Sequence, residues 1–216
     1  MNIIIFGPPG AGKGTQSDNL VKEFKLKKIA TGDLLRTEVK NQTDLGKKIN
    51  SIISEGKFVS DEIINDLIKN ILSSRIFENK LIFDGYPRNM NQTKNLDVLL
   101  KKYNQKISCV LSLNVDREIV INRILGRIIC KKCGSIFNKF FNPASELNHL
   151  CGSNYLETRT DDNKETIVNR YEKYSKETLP ILNFYRSQKI LHEVNGSKEI
   201  AQIYKEIQQI INSLHA

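Results

Sequence analysis

The sequence predicts an α/β fold in which a parallel sheet is flanked by helices in three layers, with two insertions. Three observations predict it. Short apolar runs alternate with stretches of helical periodicity, the first run passes through a glycine-rich turn straight into a helical pattern, and two segments break the alternation. Asn2 to Phe6 forms the first strand, and the unbroken apolar run from Ile3 to Phe6 is what a strand buried on both faces requires. Leu20, Val21 and Phe24 mark the helix after the turn. Leu81 to Phe83, Ser108 to Leu113 and Ile190 to Val194 are further strands. Between them Ile63, Ile64, Leu67, Ile68, Ile71 and Leu72 recur at helical spacing, as do Leu96, Leu99, Leu100 and Tyr103, then Ile119, Val120 and Ile124. Such stripes are core-facing. A long helix from about Asp162 bends before Pro180, whose ring cannot continue the hydrogen-bond ladder, and a last helix follows Ser197.

The two segments outside this alternation are 30–59, two short helical pieces parted near Asn41 to Asp44, and 126–163, rich in cysteine, glycine and asparagine with short strand-like pieces. Segments 1–29, 60–125 and 164–216 make up the core domain. A chain of 216 residues can bury a sizeable core in one such domain. No apolar run approaches the ~20 residues that span a bilayer, and the first residues lack the leader of a signal peptide, so a cytoplasmic protein is expected. The net charge of +9 would suit nucleic acid, a membrane surface or a small anion. Lysines such as Lys22, Lys47, Lys69 and Lys101 are spread over helical segments rather than gathered in an arm. Neither nucleic acid nor membrane is therefore expected as a partner, and the basic surplus helps to steer polyphosphates.

The turn after the first strand is Gly7-Pro-Pro-Gly10-Ala11-Gly12-Lys13-Gly14-Thr15. Glycines let successive backbone N–H groups converge without Cβ obstruction, the following helix aims its positive end at the same point, and Lys13 adds a mobile charge. The strict phosphate-loop pattern G-x-x-x-x-G-K-[ST] holds from Gly7 to Lys13 and departs at Gly14, with the hydroxyl displaced to Thr15. Asp84-Gly85-Tyr86-Pro87-Arg88 follows a strand, so Asp84 sits at a carboxyl end, where α/β proteins bind ligands. Beside a phosphate cradle the acid can hold Mg²⁺ through water, and Arg88 offers a two-pronged phosphate donor. Alone, the segment would be ordinary turn chemistry. Ala30-Thr31-Gly32-Asp33 starts a helix, with Thr31 as its cap.

These motifs, with their order along nearly the whole chain, resemble those of the adenylate kinases, nucleoside monophosphate kinases of the P-loop NTPase fold. GPPGAGKGTQ is similar to the family's phosphate loop, ATGDLLR to its STGDMLR segment and DGYPRN to its DG[FY]PR motif. The resemblance implies that Gly10, Ala11, Gly12, Lys13, Gly14 and Thr15 bind ATP, with Arg127, Ile136, Phe137 and, in the Val194-Asn-Gly196-Ser-Lys198 loop, Lys198. It implies that Thr31, Arg36, Lys57, Phe58, Val59, Gly85, Tyr86, Pro87, Arg88 and Gln92 bind AMP together with Arg159 and Arg170. Residues 30–59 would be the AMP-binding domain and 126–163 the lid, with Asp161 and Asp162 its paired acids and Arg123 at the mouth of the site. Lys13, Arg88, Arg127, Arg159 and Arg170 would be catalytic, and Asp84 would hold Mg²⁺ through water. The implied reaction is MgATP + AMP ⇌ 2 ADP, in a monomer, by positioning and electrostatic stabilisation without a general base.

Cys130-Lys-Lys-Cys133-Gly is a C-x-x-C-G knuckle, and Cys151 follows after seventeen intervening residues, a zinc-ribbon spacing. A second C-x-x-C is incomplete, with Asn148 at the position of its first cysteine. His149 is the nearby substitute, giving three thiolates and one imidazole for a structural Zn²⁺. The rival is a segment held by hydrogen bonds and apolar contacts without metal. Cys109 is a buried small hydrophobe. UMP or CMP as acceptor, or GTP as donor, remains open, and a zinc-ribbon nucleic-acid-binding protein would leave the glycine-rich loop and DGYPR unexplained.

Overall fold

The computed structural model describes residues 1–54, 59–159 and 162–214. Along the chain run β1 (Asn2–Phe6), α1 (Lys13–Phe24), β2 (Lys27–Ala30), α2 (Thr31–Lys40), α3 (Asp44–Ser54) and α4 (Asp61–Ser73). Then come β3 (Leu81–Asp84), α5 (Met90–Lys102), β4 (Ile107–Asn114) and α6 (Arg117–Leu125). Strands β5 (Arg127–Cys130), β6 (Ile136–Asn138) and β7 (Leu156–Glu157) precede α7 (Lys164–Lys173), α8 (Leu179–Ser187), β8 (Leu191–Asn195) and α9 (Ile200–Ser213).

Among the described residues the central sheet is five-stranded in the order β2-β3-β1-β4-β8, parallel throughout. Successive residues of a strand face opposite sides, so the apolar run of β1 feeds two cores. Ile4 and Phe6 pack with Ile68, Phe83, Leu96 and Ile181 on the side of α4, α5 and α8. Ile3 and Ile5 pack with Leu20, Leu111, Ile207 and Ile211 on the side of α1 and α9. The expected three layers are present. Because β1 lies between β3 and β4, the crevice beyond its carboxyl end sits where the strand order reverses, the usual ligand position in such sheets.

Strand β2 was not expected from the sequence. Its Lys27-Lys28-Ile29-Ala30 contains one fully buried apolar side chain, Ile29, and among the described residues it pairs with β3 alone, in the register Lys27↔Leu81 to Ala30↔Asp84. Lysines are common on an edge strand, where they oppose further pairing, and they erase the apolar signal. The interruption expected before Pro180 is a π-helical turn, Tyr174–Thr178, between α7 and α8. The wider turn accommodates the ring and the lost N–H of proline.

The first insertion contains the two short helices the sequence suggested, broken at residues 41–43. Thr43 caps α3, its hydroxyl oxygen accepting a bond from Gly46 N at 2.9 Å. A Cβ on Gly46 would lie 2.0 Å from the Glu38 carbonyl oxygen, so the close contact of α2 and α3 depends on that glycine. In the second insertion β6-β5-β7 form a small antiparallel sheet. Gly46→Ala should cost about 1–3 kcal/mol through overpacking, read as a lowered midpoint in a urea or thermal melt. An unchanged midpoint would show that α2 and α3 can part without penalty.

Candidate functional site

The glycine-rich loop joins β1 to α1 at the crevice. Gly12 adopts φ 94°, and α1 begins at the next residue, so the unpaired N–H groups of its first turn face the crevice. Gly10 has φ +79° and a Cβ there would lie 2.7 Å from Ile124 Cγ1, which presses the loop onto α6. Ala11 is fully buried behind it. Lys13 curls over the loop, its Nζ donating to the carbonyls of Gly7 at 2.7 Å and Pro8 at 2.9 Å. Desolvation lowers the Lys13 pKa to about 8; Asp84 opposes the shift, while Arg88, Arg170 and Arg127 reinforce it. Gly14 and Thr15 stand in the first turn of α1. A Cβ on Gly14 would lie 3.8 Å from Asp84 Oδ2 and 3.7 Å from Ile136 Cδ1, so β6 of the second insertion reaches the loop. The adjacent Phe137 is buried inside that insertion, edge-on to His149 at 5.0 Å.

Asp84 ends β3 beside β1. Desolvation raises its pKa, and Lys13 and Lys28 draw it down. Tyr86 is buried, with its hydroxyl donating to Asn65 Oδ1 at 3.0 Å, and the Tyr86–Pro87 peptide is cis. Arg88 Nε donates to the Gly85 carbonyl at 2.8 Å. The walls of the crevice, then Arg170 and Arg36, lower the Arg88 pKa and Asp84 raises it, while the side chain keeps a solvent-exposed surface.

Thr31 corrects one expectation. It is the first residue of α2, after extended Ala30, and its hydroxyl makes no cap; it donates to the Gly85 carbonyl at 3.1 Å and ties the first insertion to the DGYPR loop. Arg36 pairs with Asp33 one turn away and is exposed toward solvent. Gln92 is buried, with Nε2 donating to Asp61 Oδ1 at 2.5 Å and Oε1 accepting from Arg88 N at 2.7 Å, so its amide holds the loop that carries Arg88. Val59 packs against the core on the α4 side. Lys57 and Phe58 lie outside the described residues, as does Asp161.

In the second insertion Arg127 and Asp162 form a two-point pair, with Nε donating to Oδ2 at 2.7 Å and Nη2 to Oδ1; the Asp162 side chain is 2% exposed. The Arg159 carbonyl accepts from Asp162 N at 3.1 Å. Arg170 projects from α7 close enough to act on both Lys13 and Arg88. Arg123 donates to the Gly196 carbonyl at 2.7 Å, linking α6 to the loop after β8, where Lys198 pairs with Glu206 at 2.8 Å. Beside this loop is a cleft of about 530 Å³ whose lining includes Pro8 of the glycine-rich loop and Ser197 of the Val194–Lys198 loop, together with Asn114, Asp116, Tyr171 and Glu193, which lie in no sequence motif. Lys28 is a further unannounced neighbour, 4.0 Å from Asp84.

The expected ligand set in the second insertion converges. One ligand atom from each of Cys130, Cys133, His149 and Cys151 lies within 4.8 Å of the others. Asn148 serves a turn instead, its Oδ1 accepting from Ser145 N at 2.8 Å and its Nδ2 donating to the Pro143 carbonyl at 3.0 Å. His149 Nε2 is buried without a hydrogen-bond partner, an isolated acceptor or donor that a metal would satisfy. Hydrogen bonds from Ser135 pull the Cys133 thiol down to about 6, whereas desolvation and the other two thiols raise Cys151 to about 11. Cys109 is fully buried in the core, and burial raises its thiol to about 12. No described helix is long and apolar enough to cross a membrane.

A family model described as adenylate kinase matches residues 5–190. The chain is 47% identical over 211 residues to an adenylate kinase of Pelagibacter ubique, covering 98% of this chain and 99% of that protein. It is 37% identical to an adenylate kinase of Enterococcus faecalis (98% and 99% covered) and 38% identical to one of Archaeoglobus fulgidus (99% and 99%).

The Lys13 ammonium of the unliganded protein loses its proton as pH rises through about 8. Affinity for a polyphosphate should therefore decline above that pH, and the decline should vanish in Lys13→Met. Calorimetric titrations with ADP on both sides of the transition measure this; equal pH dependence in the two proteins would remove Lys13 from the phosphate contact.

Proposed function

Because the chain belongs to the adenylate kinase family, it is a phosphotransferase that moves the terminal phosphate of ATP to AMP and yields two ADP, and we propose how its residues divide that work. The carrying observation is the charge around the crevice. Lys13 there feels Arg88, Arg170 and Arg127 as well as Asp84, Arg88 feels Arg170, Asp84 and Arg36, and Asp162 pairs with Arg127. Such crowding of like charge in a desolvated cleft is relieved by a polyphosphate, and it matches the charge that spreads over the phosphoryl oxygens in the transition state.

In this reading Lys13 exchanges its hydrogen bonds to Gly7 and Pro8 for donor phosphate oxygens, with the N–H groups from Gly10 to Thr15 as the cradle. Arg36 and Arg88 hold the acceptor phosphate. Thr31, Val59, Gly85, Tyr86, Pro87 and Gln92, with Lys57 and Phe58, form the acceptor side, so that 30–59 is the AMP-binding domain. Arg127, Arg159 and Arg170 stabilise the group in transfer. Asp162 supports this by holding the Arg127 guanidinium in one plane before substrate arrives, which lowers the reorganisation the reaction needs. Residues 126–163 act as the lid. Ile136, Phe137 and Lys198 line the donor side, and closure of the two insertions excludes water that would otherwise accept the phosphate.

Asp84 fits the role of an Mg²⁺ anchor through water: its carboxylate is desolvated, stands at the strand end and lies beside the first turn of α1. When bound, the ion would neutralise charge on the donor phosphates. Cys130, Cys133, Cys151 and His149 would hold a structural Zn²⁺ in the lid, a proposal supported by the unpartnered His149 Nε2. Free thiols serving as ligands also support a cytoplasmic setting, with the chain acting as a monomer.

ADP formation in a coupled assay should require both ATP and AMP, and Lys13→Ala or Arg88→Ala should lower kcat by on the order of 10³. Comparable turnover with CMP or UMP would overturn the acceptor assignment, and comparable turnover with GTP the donor assignment. Elemental analysis should find about one zinc per chain. His149→Ala should lose most of it and melt earlier, as chelator-treated wild type should; full zinc retention in that variant would exclude His149 as a ligand.

A further inference from the structure

Lys28 lies on the edge strand β2, with its side chain only 20% exposed. Its Nζ is 2.9 Å from Asp18 Oδ1 on α1 and 4.0 Å from Asp84 Oδ2 on β3. The same Nζ would stand 3.9 Å from a Cβ on Gly14, in the first turn of α1. The ammonium thus fills the angle between the helix end that faces the donor phosphates and the carboxylate assigned to the metal. Lys13 approaches Asp84 from the loop side, but its Nζ is engaged by loop carbonyls. The Lys28 Nζ is instead held by the Asp18 carboxylate at 2.9 Å, which fixes the ammonium in place beside Asp84.

We propose that Lys28 is a positioning residue for the divalent cation that accompanies the donor nucleotide: it shares Asp84 with that cation, weakens the cation's hold by charge repulsion, and supplies a standing positive charge beside the donor phosphates when the cation is absent. This rests on the assignment of the metal to Asp84 made above. A surface ion pair between Lys28 and Asp18 alone would contribute little and would leave metal affinity untouched. Two cations competing for one shielded carboxylate interact strongly, because the crevice screens them less than bulk water does.

The test is titration of Mn²⁺, followed by electron paramagnetic resonance, into enzyme saturated with ATP. It uses wild type, Lys28→Gln, Lys28→Arg and Asp84→Asn, each checked for a native melt. Lys28→Gln should bind Mn²⁺ ~3- to 10-fold more tightly, the scale on which a nearby unit charge acts. Lys28→Arg should stay within about twofold of wild type because it restores the charge. Calorimetry with ATP in the presence of EDTA should show weaker binding to Lys28→Gln by a similar factor. Unchanged or weaker Mn²⁺ binding in Lys28→Gln, with Asp84→Asn impaired, would overturn the role of Lys28 alone. Unimpaired Mn²⁺ binding in Asp84→Asn would instead remove the metal from Asp84, and failure of the wild type to bind ATP would reach back to the proposed function.

Discussion

Charge held out of water is the constraint on which this molecule turns. Around the end of β1, lysine and arginine side chains from the glycine-rich loop, the DGYPR loop, the second insertion and α7 share one crevice, with Asp84 beside Lys13 and Asp162 paired with Arg127. Mutual repulsion of this kind works against folding unless the scaffold beneath is rigid. Here the scaffold is the strand run Ile3 to Phe6, buried on both faces and flanked by two parallel neighbours. Its two cores are what keep the loop and the DGYPR turn in register. The stability of the sheet therefore sustains an unfavourable electrostatic arrangement whose relief is ligand binding, the usual relation between a stable core and a strained site.

Some ties between insertions and core are single hydrogen bonds: Thr31 reaches the Gly85 carbonyl, and Asn138 Nδ2 donates to the Arg123 carbonyl at 2.7 Å. Leu34, Leu35 and Val59 of the first insertion add apolar contact with the core on the α4 side. Hydrogen bonds of this kind contribute on the order of 1 kcal/mol each.

Much of the fold was legible because burial writes a period into sequence. The two faces of β1, the stripe of α4 at Ile64, Ile68 and Leu72, and the interruption before Pro180 all follow from such local rules. Edge strand β2 was not legible, because its first two positions are lysines that carry no apolar signal, Lys27 exposed and Lys28 turned toward Asp18 and Asp84, which leaves Ile29 as its buried apolar residue. The site divides in the same way. Loop, DGYPR and cysteine knuckle are contiguous and readable. The duty of Thr31 could not be read, since a hydroxyl at a helix start fits a cap equally well, and the approach of Lys28 to Asp84 exists only once β2 has paired with β3. His149 stood out by its chemistry, but the reason Asn148 is no ligand lay in the Ser145 to Asn148 turn, a matter of backbone geometry.

The π-helical turn at Tyr174–Thr178 fixes a phase relation. An α-helix advances about 100° per residue, so a turn holding one extra residue rotates everything before it relative to everything after it. Ile167 on α7 faces α6 and Arg170 faces the crevice, while Ile181 and Tyr185 on α8 face the central core. Thr178, at the end of the turn, donates to the Arg88 carbonyl at 2.9 Å. One residue thus sets the clock angle between the arginine beside Lys13 and Arg88 and the helix that follows it. A deletion there would leave every apolar contact of α8 possible and still swing Arg170 away from Arg88, separating the integrity of the fold from the integrity of its charge cluster.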